Sequence, residues 1–377
     1  MEVYTGTPAE FVEKIFNLDF NDAYVLPDKP IRLIEGFQYG NLKIIVPSEK
    51  VKEIITHVKK DLPMEITDFA YREKGINLRI HLIKSGTSKD YNGLIIRKLF
   101  SYVPEPEVLR VPSEVVNAFI KSATGTGGIA LICGKQRQGK STTASSLLNL
   151  YNTNNKGVII TIENPIEYLL EDLQSVVIQK DVITYVRHDE RISIETLIEK
   201  AVERALIDAS REFPSIVFIG EVRTKFEVEM AVKLAESGVF VLASFHGENV
   251  PFALSRFMNI LLAGASETEY QTKLANFISL LKFVVAQRLL PNKDDESKFE
   301  LISEYYIPNF SGENVGLLNL LKQRKMTDFL MRFSKMPKSQ YVKNFTTALS
   351  EATTEGRINP ILAREIDPYR IVDIMRD

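Results

Sequence analysis

The chain has 377 residues, 45% of them apolar and 25% charged, with a formal charge of −2 and a single cysteine. That length can bury a large core and has room for two or three domains, and the near-neutral charge gives no electrostatic reason for direct contact with nucleic acid or an anionic membrane. One cysteine excludes an internal disulfide framework or a multi-cysteine metal site, and neither a basic flank with an apolar core at the N-terminus nor an apolar run of ~20 residues is present. The expectation is a cytoplasmic α/β protein that meets a membrane only through partners.

Residues 1–103 read as a small α+β domain. Ala23–Leu26, Ile31–Ile34 and Leu42–Val46 are predicted strands separated by turn residues, and Ser48 is the expected N-cap of a helix over Glu49–Lys60. Thr67–Arg72 and Asn77–Ile83 follow as strands, with Lys74-Gly75 at the turn, and Leu94–Phe100 carries Arg97 in its middle. Leu78, Ile80 and Leu82 alternate with Arg79, His81 and Ile83, the pattern of a sheet with one solvated face. Three prolines within Val103–Pro112 predict an extended linker over 104–112, and Ser113 is the expected cap of the next helix.

Residues 113–377 read as a nucleotide-binding domain on a parallel sheet. Gly134-Lys135-Gln136-Arg137-Gln138-Gly139-Lys140-Ser141 has the spacing of a phosphate-binding loop, followed by Thr142. Its glycines let successive N–H groups face a phosphate, Lys140 can reach the β/γ oxygens, and Ser141 can ligate Mg²⁺. The apolar run Ile129–Cys133 enters the loop as a strand and Thr142–Tyr151 leaves it with helical patterning, so phosphate would sit at a helix N-terminus. Cys133 is read as a small buried hydrophobe. Three more apolar strands end in polar residues: Gly157–Ile162 in Glu163, Ser215–Ile219 in Gly220-Glu221-Val222-Arg223, and Val239–Phe245 in His246. Parallel sheets bind ligands beyond the carboxyl ends of their strands, so these side chains converge on one crevice. There Glu221 suits a metal, Glu163 suits an attacking water and His246 suits the γ-phosphate. His57, His81 and His188 lack such placement. After Phe277 the chain is expected to be mainly helical, with a charged turn at Asn292–Lys298.

The order of the phosphate loop, Ile160-Thr161-Ile162-Glu163-Asn164-Pro165, Ile219-Gly220-Glu221-Val222-Arg223, Ala235-Glu236-Ser237-Gly238 and Phe245-His246 resembles the secretion ATPase superfamily. That group comprises motors of type IV pili and of type II and type IV secretion and conjugation. The resemblance implies a RecA-like motor domain with a small PAS-like N-terminal domain and a helical C-terminal portion, assembled as a homohexamer. It implies ATP and Mg²⁺ as cofactors, Glu163 as base, Glu221 at the metal, and Arg79 and Arg97 reaching phosphates at the subunit interface. Its expected partners are inner-membrane platform proteins of a pilus or secretion machine. With neither a four-cysteine insertion nor an additional N-terminal domain, the chain is more similar to the retraction and conjugation branches than to pilus assembly motors. Departures include charge within the loop, Asn164 for an aspartate, Thr224 for an acid and Gly247 for threonine. A RecA-like nucleic-acid-directed ATPase, which predicts a basic groove and steep salt dependence, and a nucleotide-binding scaffold with weak hydrolysis are the alternatives.

Overall fold

A computed structural model describes all residues except 19, 21, 36–37, 61, 63–65, 74, 85–86, 88–89, 99–101, 126, 187–192, 296–297, 310–314, 368 and 370–377. Lys74, His188 and the last two residues of the expected strand Leu94–Phe100 therefore lie outside the described residues. The chain divides into two compact units. The first comprises Met1–Tyr102 together with Asn164–Leu169 and Asp181–Ala201, and the second takes the remainder. Two short segments that the sequence assigns to the nucleotide-binding half thus belong with the first unit.

In the first unit β1 (Glu2–Val3), α1 (Pro8–Phe16), β2 (Asp22–Val25), β3 (Pro30–Glu35), β4 (Gln38–Ile45), α2 (Ser48–Lys59), β5 (Asp68–Glu73), β6 (Ile76–Ile83) and β7 (Gly93–Lys98) follow one another. The strands form one sheet in the order β1-β4-β3-β2-β7-β6-β5, antiparallel from β4 onward. A capping box of Thr7 and Glu10, with Pro8 in the first turn, starts α1. The apolar stripes of the helices (Phe11, Val12 and Ile15; Val51, Ile54 and Val58) share a core with Leu78, Ile80, Leu82, Leu94 and Ile96. Strand alternation consequently turns Arg79 and Arg97 to the other face.

The second unit opens with residues that the three prolines suggested would be extended. They form a turn instead: Val111 N–H donates to Pro106 O at 2.9 Å, Ser146 Oγ donates to Pro104 O at 2.6 Å, and Val111 joins the core. Proline suits a tight turn as well as an extended segment, and the apolar valines decide between them by burying. Then come α3 (Ser113–Ala123), β8 (Gly128–Cys133), α4 (Lys140–Asn154), β9 (Val158–Glu163), β10 (Val176–Asp181), α5 (Ile194–Ala209, of which the residues up to Ala201 belong with the first unit), β11 (Ile216–Val222), α6 (Lys225–Glu236), β12 (Phe240–Phe245), α7 (Val250–Leu262) and α8 (Glu267–Leu280). Next are β13 (Leu281–Pro291), β14 (Phe299–Tyr306), α9 (Val315–Lys322), α10 (Met326–Phe333), β15 (Val342–Lys343), α11 (Phe345–Thr354) and α12 (Pro360–Ile366). Pro47 and Pro112, not Ser48 and Ser113, occupy the N-cap positions of α2 and α3, so both serines lie one residue inside their helices.

The sheet order is β10-β9-β11-β12-β8-β13-β14-β15, and β9, β11, β12, β8 and β13 run parallel. β8 and β12 are buried along their whole length, as strands covered on both faces must be. The chain after Phe277 corrects the helical expectation. Leu281–Pro291 continues directly from α8 as an eleven-residue strand, and β14 returns antiparallel to it across the turn at Asn292–Lys298. A continuous apolar run such as Leu281–Leu290 has no period that separates buried helix from buried strand. The helical segment begins later, at Val315.

Candidate functional site

The parallel order places four strand ends side by side: Glu163 closes β9, Glu221 sits near the end of β11, His246 follows β12, and the phosphate loop follows β8. Geometry explains both loop glycines. A Cβ on Gly134 would stand 2.9 Å from the carbonyl oxygen of Gln287, and Gly139 caps α4 in the left-handed region at φ 75°. Arg137, also left-handed at φ 61°, tightens the bend between them. The loop is tied to β13 through Gln138, whose side-chain oxygen accepts from Leu289 N at 2.7 Å while its carbonyl accepts from Gln287 Nε2 at 2.6 Å. Lys140 turns its ammonium inward, donating to Gly134 O at 3.1 Å and Lys135 O at 2.8 Å. Lys135 reaches away, pairing with Glu248 at 2.9 Å, and that bond holds the Glu248 carboxyl below the usual range. Ser141 and Thr142 occupy the first turn of α4, while Gln136 is exposed on the loop.

Glu163 is only 5% exposed. Thr161 Oγ1 donates to its Oε1 at 2.7 Å and Gln179 Nε2 at 3.4 Å. Gly220 permits β11 to close on it, because a Cβ there would meet Glu163 Cα at 3.2 Å. Glu221 is paired with Arg223 two residues on, and this bond raises the Arg223 pKa. The Glu227 carboxylate accepts from Arg223 N and Thr224 N at 2.5 and 2.9 Å, and burial shifts its pKa upward. Thr224, where the family pattern has an acid, caps α6 in a Thr-x-x-Glu box, a signal readable in the sequence that the functional reading passed over. His246 is half-buried, and Arg256 donates to its main-chain oxygen at 3.0 Å.

Arg79 and Arg97, the two candidate arginines of the first unit, are both partnered there. Arg97 lies directly opposite Asp22 and grips it at 2.8 and 3.0 Å. Arg79, opposite Arg97 across β6 and β7, forks onto Asp68 at 2.9 and 2.8 Å and reaches Glu167 at 3.1 Å. The Asp68 bonds raise the Arg79 pKa. His57, on α2, meets Tyr71 OH at 3.2 Å, and His81 is exposed. Cys133 is wholly buried, and burial pushes its thiol well above the ordinary range.

With that geometry in view, comparison with known proteins is decisive for the family. The type II/IV secretion system protein family matches residues 93–341, more than half of the chain. The chain belongs to that family. Among its curated relatives, the type IV pilus ATPase PilU of Pseudomonas aeruginosa is 28% identical over 266 residues, 71% of this chain and 62% of PilU. A twitching motility protein of Neisseria gonorrhoeae is 24% identical over 324 residues, 84% of this chain and 78% of that protein. The crystal structure of the pilus retraction motor PilT with bound ADP superposes with a TM-score of 0.77 at 22% identity, covering 97% of this chain and 98% of PilT. At that identity the likeness is one of fold.

Proposed function

We propose that this member of the secretion family is a mechanochemical ATPase that powers a type IV pilus, in retraction, or a related type IV secretion or conjugation machine. One observation carries the reading: β9, β11, β12 and β8 lie side by side and parallel, so the phosphate loop, Glu163, Glu221 and His246 share one sheet edge. The loop amides and the N-terminus of α4 hold the phosphates of ATP. Lys140 leaves the loop carbonyls of residues 134 and 135 for the β/γ oxygens, a move between neutral and anionic acceptors that strengthens its hydrogen bonds. Glu163 orients the attacking water and accepts its proton, and the water oxygen bonds to the γ-phosphorus as ADP departs. His246 donates a hydrogen bond to the γ-phosphate.

Ser141 and Glu221 provide the oxygen donors a hard cation prefers. Among the described residues no group of three or more His, Cys, Asp or Glu side chains could hold a metal. Those two residues would hold the ion, and when bound it neutralises charge on the β/γ oxygens.

Arg79 and Arg97 would serve a neighbouring subunit's phosphates in a homohexamer, docked on inner-membrane platform proteins from the cytoplasmic side. None of the described helices is long and apolar enough to cross a membrane. Native mass measurement with and without a non-hydrolysable ATP analogue tests the assembly: six copies are expected with the analogue, and a monomer under both conditions overturns the ring.

A further inference from the structure

Gln287 stands out in the second unit's sheet. β13 is almost wholly apolar where it is buried, yet Gln287 is 1% exposed and its Oε1 has no hydrogen-bond partner. An unsatisfied buried carbonyl destabilises the fold, so a leucine of similar size would serve core stability better. What Gln287 does make is one of two bonds that tie β13 to Gln138. Its Nε2 donates to the main-chain oxygen of Gln138 at 2.6 Å, and the Gln138 side-chain oxygen accepts from the main chain of Leu289 at 2.7 Å. The Gln287 side chain thus grips the loop backbone, and the Gln138 side chain grips the β13 backbone two residues further on. The donor requirement at Gln138 O fixes which way the Gln287 amide is turned.

The clasp closes on the part of the loop where conformational cost concentrates. Gln138 lies between Arg137 at φ 61° and Gly139 at φ 75°, two successive left-handed turns on either side of it. Non-glycine residues adopt that region only when their surroundings impose it. The other end of the loop is packed on the same residue, since a Cβ on Gly134 would strike Gln287 O at 2.9 Å. A loop so bent presents its amides before any ligand arrives, and a preshaped cradle loses less ordering entropy on binding.

We infer that Gln287 is a positioning residue for the nucleotide: with Gln138 it preshapes the phosphate loop from β13. This rests on the proposed nucleotide site and adds a residue outside the loop to it. The clasp acts before the γ-phosphate matters, so it should affect ATP and ADP equally.

The test is equilibrium binding of ATP and ADP to the full chain, with the wild type and Lys140→Ala as reference points. Gln287→Leu and Gln138→Leu each remove one half of the clasp, while Gln138→Glu keeps an acceptor for Leu289 N. Expected are dissociation constants raised about tenfold for both nucleotides in either leucine variant. Gln138→Glu should restore most of the affinity, and the KM for ATP of Gln287→Leu should rise in step with its dissociation constant. The double leucine variant should lose little more than either single one, because the two bonds act as a unit. Wild-type affinity in both leucine variants overturns the clasp, as does a fall in melting temperature with unchanged affinity. If the wild type itself binds no nucleotide, the site reading fails and the clasp with it. If the wild type binds, Lys140→Ala does not, and the glutamine variants are normal, only the clasp fails.

Discussion

In the seven-stranded sheet Arg79 and Arg97 are each forked by an aspartate on an adjoining strand, whereas at the carboxyl edge of the eight-stranded sheet Lys140 rests on two carbonyls and Glu163 on a hydroxyl and an amide. Carboxylate–guanidinium forks cancel charge as they position it. The carbonyls, the hydroxyl and the amide position a charge without themselves carrying an opposite one. The second arrangement suits a group that must act on arrival of substrate. The first suits one that must stay in place until something more anionic than an aspartate competes for it.

The largest effect on that contrast comes from Arg97. If it serves a neighbouring subunit's phosphate, Arg97→Gln should lower ATP turnover about tenfold or more, whereas Asp22→Asn, which frees the guanidinium, should not. The pair is partly exposed, so either change should cost less than about 1 kcal/mol of stability by denaturant titration. Equal turnover in all three proteins would confine Arg97 to the fold.

Glu304 sharpens the contrast from the opposite side. It is wholly buried on β14, accepts from Val250 N and Phe345 N and from Tyr369 OH, and burial raises its pKa to about 8. Its folded pKa lies above the unfolded one, near 4.5, so its contribution to stability is complete below that value and fades as pH rises through about 8. The expected loss is on the order of a few kcal/mol across the window. Melting temperature should fall over that range in the wild type and less steeply in Glu304→Gln; identical slopes would contradict the assignment.

The smallest effect belongs to Lys135 and Glu248, whose side chains are 61% and 51% exposed. Glu248→Ala should change stability by less than ~1 kcal/mol, an effect that should vanish in high salt. A larger, salt-independent change would mean that this pair shapes the loop as the bonds from β13 to Gln138 are proposed to do.

What could be read from the chain alone follows from how far apart the cooperating residues lie. The loop from Gly134 to Ser141 is legible because its spacing is local and an apolar run leads into it. Glu163, Glu221 and His246 are legible because each terminates an apolar strand, and parallel topology then brings their ends together. The first unit's alternation at Leu78–Leu82 likewise foretells which face is buried. Gln287 carries no such signal. It contacts Gln138 149 residues away, from inside an apolar run whose strand character is itself ambiguous. The Asp68 and Asp22 partners of the arginines are equally hidden, because strand register decides them.

The most direct measurement is a paired one on Glu163→Gln, ATP affinity by equilibrium binding and turnover by phosphate release. The glutamine keeps the volume and a hydrogen-bonding partner for Thr161 but cannot take a proton. Parental affinity with turnover lowered at least about a hundredfold is the expected result. Phosphate release at the parental rate would contradict the placement of the hydrolytic base at the end of β9, and with it the proposed site.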